Sequence, residues 1–118
     1  MRYLMLLYGD HEAEQALSDA ERRDIVERHF ALSRRLAEQG LLVAGGALGP
    51  AGAAKVVRDG GLLVTDGPFA ETKEQLGGFY LLDCRDLDEA ISWAAKIPAA
   101  EVGSVEVRPV REFERSQA

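Results

Sequence analysis

At 118 residues the chain has room for one domain, residues 1–118, and its 47% hydrophobic content is enough to fill a single core. The formal net charge of −6 argues against direct nucleic-acid binding, which needs a basic face. A single cysteine, Cys84, excludes an internal disulfide, and its place after an apolar run with acidic flanks reads as a packed thiol.

The chain opens with Tyr3 to Tyr8, a strand apolar on both faces. This run is too short for a signal segment or a membrane span, so the expected location is the cytoplasm. Gly9-Asp10-His11 ends the strand, and His11 is expected in an exposed loop. Ser18-Asp19-Ala20-Glu21 is a capping box. The helix it starts runs to about Gln39. Ile25, His29, Leu32 and Leu36 form its apolar stripe, and Gly40 suits the C′ position.

A second strand is predicted over Leu41 to Ala44, followed by Gly45-Gly46 and a loose loop, Leu48-Gly49-Pro50-Ala51-Gly52. Lys55–Arg58 and Leu62–Thr65 flank Asp59-Gly60-Gly61, a hairpin signal. Gly78 to Cys84 is another strand apolar on both faces. Asp86 caps a second helix with Glu89 at N3, and Leu87, Ala90, Ile91, Ala94 and Ala95 are its predicted buried stripe. Trp93 and Tyr80 are expected in the core or an interface. Ser104 to Val110 is the last strand.

This order predicts an α+β fold: a ferredoxin-like βαββαβ protomer with an extra β-hairpin, both helices on one face of an antiparallel sheet. Two helices cover one sheet face, yet two strands are apolar on both. A second copy of the chain is the simplest cover, which predicts a homodimer with sheets face to face.

Polar chemistry concentrates between the hairpin and the following strand, from Asp66-Gly67-Pro68 through Glu71, Lys73 and Glu74 to Gly77-Gly78. Asp-Gly-Pro by itself is a turn signal, and the charged residues after it suit a solvated loop. Four ionisable groups beside glycines, where a backbone lies close to something, raise a binding reading. His29 interrupts an apolar stripe. It is either a satisfied core histidine or a general base, with Asp10 or Asp66 as its partner. Arg108 either holds an anionic group bidentately or pairs with Glu71 or Glu74. The candidate catalytic residues are therefore His29 and Asp66. The candidate ligand-binding residues are Asp10, Glu71, Lys73, Glu74, Gly77 and Arg108. No metal-ligand spacing, phosphate loop or nucleophile elbow occurs, so neither a metal nor a cofactor is expected.

The run Asp66-Gly67-Pro68-Phe69-Ala70-Glu71-Thr72-Lys73-Glu74, followed by Gly77-Gly78-Phe79, resembles the signature of the DGPF proteins, a branch of the YCII-related family. The likeness extends over nearly the whole chain, through Tyr8-Gly9-Asp10, Asp86-Leu87-Asp88-Glu89-Ala90, Ile97-Pro98 and Val105-Glu106-Val107-Arg108-Pro109. The resemblance implies a dimeric α/β-barrel of ferredoxin-like protomers. It also implies a His–Asp pair in a cleft, with His29 in the histidine's place. It further implies an association with extracytoplasmic-function sigma factors, and it supplies no substrate. Three readings stand: a cofactor-independent acid/base enzyme acting on a small anionic metabolite in a polar cleft around the motif, a ligand-binding module that modulates a sigma-factor-related protein, and a structural homodimer without turnover.

Overall fold

The computed structural model describes residues 1–69 and 72–113. Strands β1 (Arg2–Asp10), β2 (Leu42–Ala47), β5 (Glu74–Asp83) and β6 (Gly103–Pro109) form one antiparallel sheet in the order β2-β5-β1-β6. Strands β3 (Lys55–Arg58) and β4 (Leu63–Asp66) form a separate two-stranded arm. The helices are α1 (His11–Gln15), α2 (Asp19–Glu38), α3 (Leu87–Ala94) and α4 (Ala99–Val102). This is the expected mixed α+β, ferredoxin-like arrangement with its added hairpin.

Each long helix starts where its sequence provides a cap. Ser18 Oγ accepts from the Glu21 amide at 3.1 Å while Glu21 Oε1 accepts from the Ser18 amide at 3.0 Å, so both halves of the capping box are made. These bonds, the backbone one first, hold the Glu21 carboxyl below its ordinary pKa. At the other end Gly40 adopts φ +72°, and the Leu41 amide reaches the Leu36 carbonyl at 2.9 Å, a Schellman closure. Asp86 caps α3 by accepting from the Glu89 amide at 2.9 Å.

Strand alternation sorts β1 into two faces. Tyr3 and Met5 pair with Leu82 and Tyr80, and all four are buried beneath Leu32 and Leu36 of α2 and Ala90, Trp93 and Ala94 of α3. Every half-buried residue packed onto this core, Val105 and Val107 among them, comes from the same side. Leu4 and Leu6 point the other way, opposite Leu81 and Phe79. They contribute nothing to the core, and the molecule is 19 Å through its thinnest dimension, the depth of one sheet and one helix layer.

Three expectations need correction. Leu87, Ile91 and Ala95 are exposed, because α3 turns Trp93 inward instead. The Trp93 ring is then roofed by Arg35 at 5.5 Å and Lys96 at 4.6 Å. Gly45 and Gly46 belong to β2, opposite Tyr80 and Phe79, rather than following a strand that ends at Ala44. The third concerns His11: where the pattern predicts a loop, Asp10 accepts from the Glu12 amide at 2.9 Å and starts a short helix, in which His11 is exposed. Cys84 is buried, and burial together with Glu89 and Asp83 pushes its thiol pKa up, as suits a packing residue.

Candidate functional site

A cleft of about 360 Å³ opens where α1, α2 and α4 meet the end of β1. Leu7, Tyr8 and Gly9 form one wall, Ile25, Val26 and His29 of α2 another, and Ala99 and Val102 of α4 a third. Glu14, Leu17, Arg22 and Gly77 complete it. Two arginines hold these walls in place. Arg22 Nη2 donates to the carbonyls of Glu14 at 3.3 Å and Gln15 at 3.1 Å, tying the end of α1 to α2. Arg28 pairs with Asp24 at 3.0 Å and with Glu101, linking α2 to α4.

His29 is the histidine that lines the cleft. Its Nδ1 lies 2.7 Å from the Tyr80 hydroxyl, and the two rings stack at 6.0 Å with a 16° tilt. Burial, then the positive charge of Arg28, lower its pKa below the usual histidine value, so the ring is neutral at pH 7. Burial raises the Tyr80 pKa, against a hydrogen bond with Ser33 that lowers it. Among the described residues Nε2 has no hydrogen-bond partner, and it is not sealed from solvent. One imidazole nitrogen is thus held while the other faces accessible space, the arrangement a proton-transfer group needs.

The other candidates scatter. Gly77 shares the cleft: it is the extra residue where the register passes from Leu7↔Gly78 to Tyr8↔Leu76. Asp10 caps α1 and pairs with Lys73 at 3.5 Å. Glu74 stands opposite Asp10 and accepts from Ser104 Oγ at 2.9 Å, so three candidates gather at the sheet end beside the cleft. Asp66 does not join them. It is the last residue of β4, opposite Lys55, and pairs with that lysine on the arm. Arg108 faces the uncovered side of the sheet opposite Leu4, away from Val105 and Val107, and makes no ion pair among the described residues. Glu71 lies outside the described residues.

The histidine's partner is therefore Tyr80, not Asp10 or Asp66. A tyrosine alternating with Leu82 on the helix-covered face was the available signal, since a hydroxyl in an apolar core needs a partner. In the DGPF run, Pro68 and Phe69 line a second, mostly apolar hollow of about 330 Å³ with Leu48, Pro50, Ala54, Gln75 and Leu76. Among the described residues no three His, Cys, Asp or Glu side chains converge as metal ligands would.

The family model of the YCII-related domain matches residues 1–114. The chain belongs to the YCII-related family. An uncharacterised protein of Rhizobium meliloti (strain 1021) is 43% identical over 114 residues, 93% of this chain and 92% of the relative. Among solved structures, this YCII-related chain is similar to 5-chloro-2-hydroxyhydroquinone dehydrochlorinase (TftG) from Burkholderia phenoliruptrix AC1100, in complex with 2,5-dihydroxybenzoquinone. The TM-score is 0.56, with 96% of each chain covered at 16% identity, a likeness of fold. Among the described residues no helix of the YCII-related chain is long and apolar enough to cross a membrane.

Proposed function

We propose that the protein is a cofactor-independent acid–base enzyme acting on a small molecule in the His29 cleft. The observation that carries this reading is the pairing, on one histidine, of a held Nδ1 with an accessible Nε2 that has no hydrogen-bond partner among the described residues. A neutral imidazole can take up a proton at pH 7 and, once protonated, return it, a contribution of about 10²–10⁴ in rate. The walls are mostly apolar, so the bound molecule is a compact ring or short chain. Among the described residues Arg22 is the one cation of the lining and would hold an anionic substituent, with Glu14 as its acidic counterpart. The Burkholderia enzyme supports the reading, since the same fold there accommodates a dihydroxyquinone.

The working form in this proposal is a two-fold dimer with the Leu4, Leu6, Phe79 and Leu81 faces together. The accessible surface of 8340 Å² exceeds by about 2,000 Å² what a compact monomer of this mass exposes. A standard interface removes about 800 Å² from each partner.

The test is a thermal-shift screen of small oxygenated ring compounds and keto acids, each hit then followed by NMR for conversion. A ligand at a hundredfold its Kd adds about 2.7 kcal/mol. The expected result is a hit that is converted and whose binding is lost in Val26→Trp, which fills the cleft. A ligand bound there and recovered unchanged would contradict the enzyme reading and leave a binding module.

A further inference from the structure

We propose that Tyr80 is a positioning residue that keeps the ring hydrogen of neutral His29 on Nε2, and that Gly45 is what lets Tyr80 do so. The inference rests on the reading of His29 as the acid–base group and adds which proton form the resting site presents.

The Tyr80 hydroxyl carries one hydrogen and shares a bond of 2.7 Å with His29 Nδ1. Two arrangements make this bond. In one, Tyr80 donates to Nδ1. In the other, Nδ1–H donates to Oη. A phenol is a strong donor and a weak acceptor, while the bare nitrogen of an imidazole is a strong acceptor. The first arrangement therefore matches each group to its better role. It leaves Nδ1 without a hydrogen, so the neutral ring carries its hydrogen on Nε2, the nitrogen with no partner among the described residues. The resting site then offers an N–H donor. What it receives is an acceptor atom, a carbonyl or other electron-rich oxygen, and its first act on such a group is to donate a hydrogen bond.

The geometry that fixes this bond is set across the sheet. Gly45 stands opposite Tyr80 in the β2–β5 register. A Cβ at Gly45 would sit 3.3 Å from Tyr80 Cδ1 and 3.3 Å from the Phe79 carbonyl oxygen. The carbonyl is backbone and cannot move aside, so the tyrosine ring must. The missing side chain of Gly45 is the space in which Tyr80 lies flat enough to stack on His29 at 6.0 Å.

The test is two-bond ¹H–¹⁵N correlation NMR of the imidazole rings above the histidine titration range. The chain has two histidines, and the exposed His11 serves as the freely exchanging reference. The expected result for the wild type is an acceptor-type Nδ1 and an N–H-type Nε2 on His29. In Tyr80→Phe, which keeps the ring and its packing, both signals should move toward the mixture shown by His11. Gly45→Ala should move them the same way by a smaller amount, with circular dichroism unchanged. A wild-type His29 with its hydrogen on Nδ1, or a Tyr80→Phe spectrum identical to wild type, would overturn the assignment. An unshifted Gly45→Ala that is folded would overturn the role of Gly45. No ligand is needed, so this result stands apart from whether His29 turns over a substrate.

Discussion

Tyr80 and His29 join the centre of the sheet to the middle of α2 through one hydrogen bond of 2.7 Å, and His29 is neutral there. A histidine whose folded pKa is depressed binds fewer protons folded than unfolded. Its contribution to stability is therefore complete above the unfolded value, near 6.5, and is lost as pH falls from there through the folded value. We expect the urea midpoint of the wild type to fall more steeply between pH 7 and pH 5 than that of His29→Gln. Parallel curves for the two proteins would contradict it.

The capping box of α2 makes a second prediction. Ser18→Ala leaves the Glu21 amide without its acceptor and should cost about 1 kcal/mol by urea denaturation. Glu21→Gln should remove a stabilisation that the wild type keeps above pH 4.5 and loses below it, since the Glu21 carboxyl is held below that ordinary value.

Close backbone approach at Gly103 makes a third. A Cβ there would lie 2.0 Å from the Tyr8 carbonyl oxygen, which the β1–β6 ladder holds in place. Gly103→Ala should lower stability by about 1–3 kcal/mol, the usual range for forcing a group into filled space. Gly52→Ala, with nothing within 4 Å of its added Cβ, is the control and should melt as the wild type does.

The uncovered sheet face makes a fourth. Leu6 and Phe79 are cross-strand partners at its centre. Phe79→Glu would bury a carboxylate against the partner's apolar face, so it should shift the light-scattering mass from twice 12.9 kDa to 12.9 kDa at micromolar protein. A wild type that is already monomeric would remove the proposed dimer.

What the sequence made legible follows physical range. Caps depend on residues three apart, so Ser18 with Glu21 and Asp86 with Glu89 could be read directly. The two-sided apolar strands could also be read, because alternation is local. The site could not. His29 and Tyr80 are 51 residues apart and meet only through the packing of α2 on β5, so no spacing announces them. The polar stretch around Asp66 drew attention by composition. Yet the arm carries Asp66 to Lys55, while an unremarkable run from Leu7 to Gly9 builds the cleft wall. Trp93 defeated the stripe on α3 because one large ring outweighs two exposed aliphatic side chains in deciding which face turns inward.

The most direct test of the central claim is the rate of conversion of a cleft-bound compound by His29→Gln against wild type, with its binding measured alongside. The expected result is a fall of about 10²-fold or more in rate with little change in affinity. Equal rates in the two proteins would show that His29 moves no proton in the reaction.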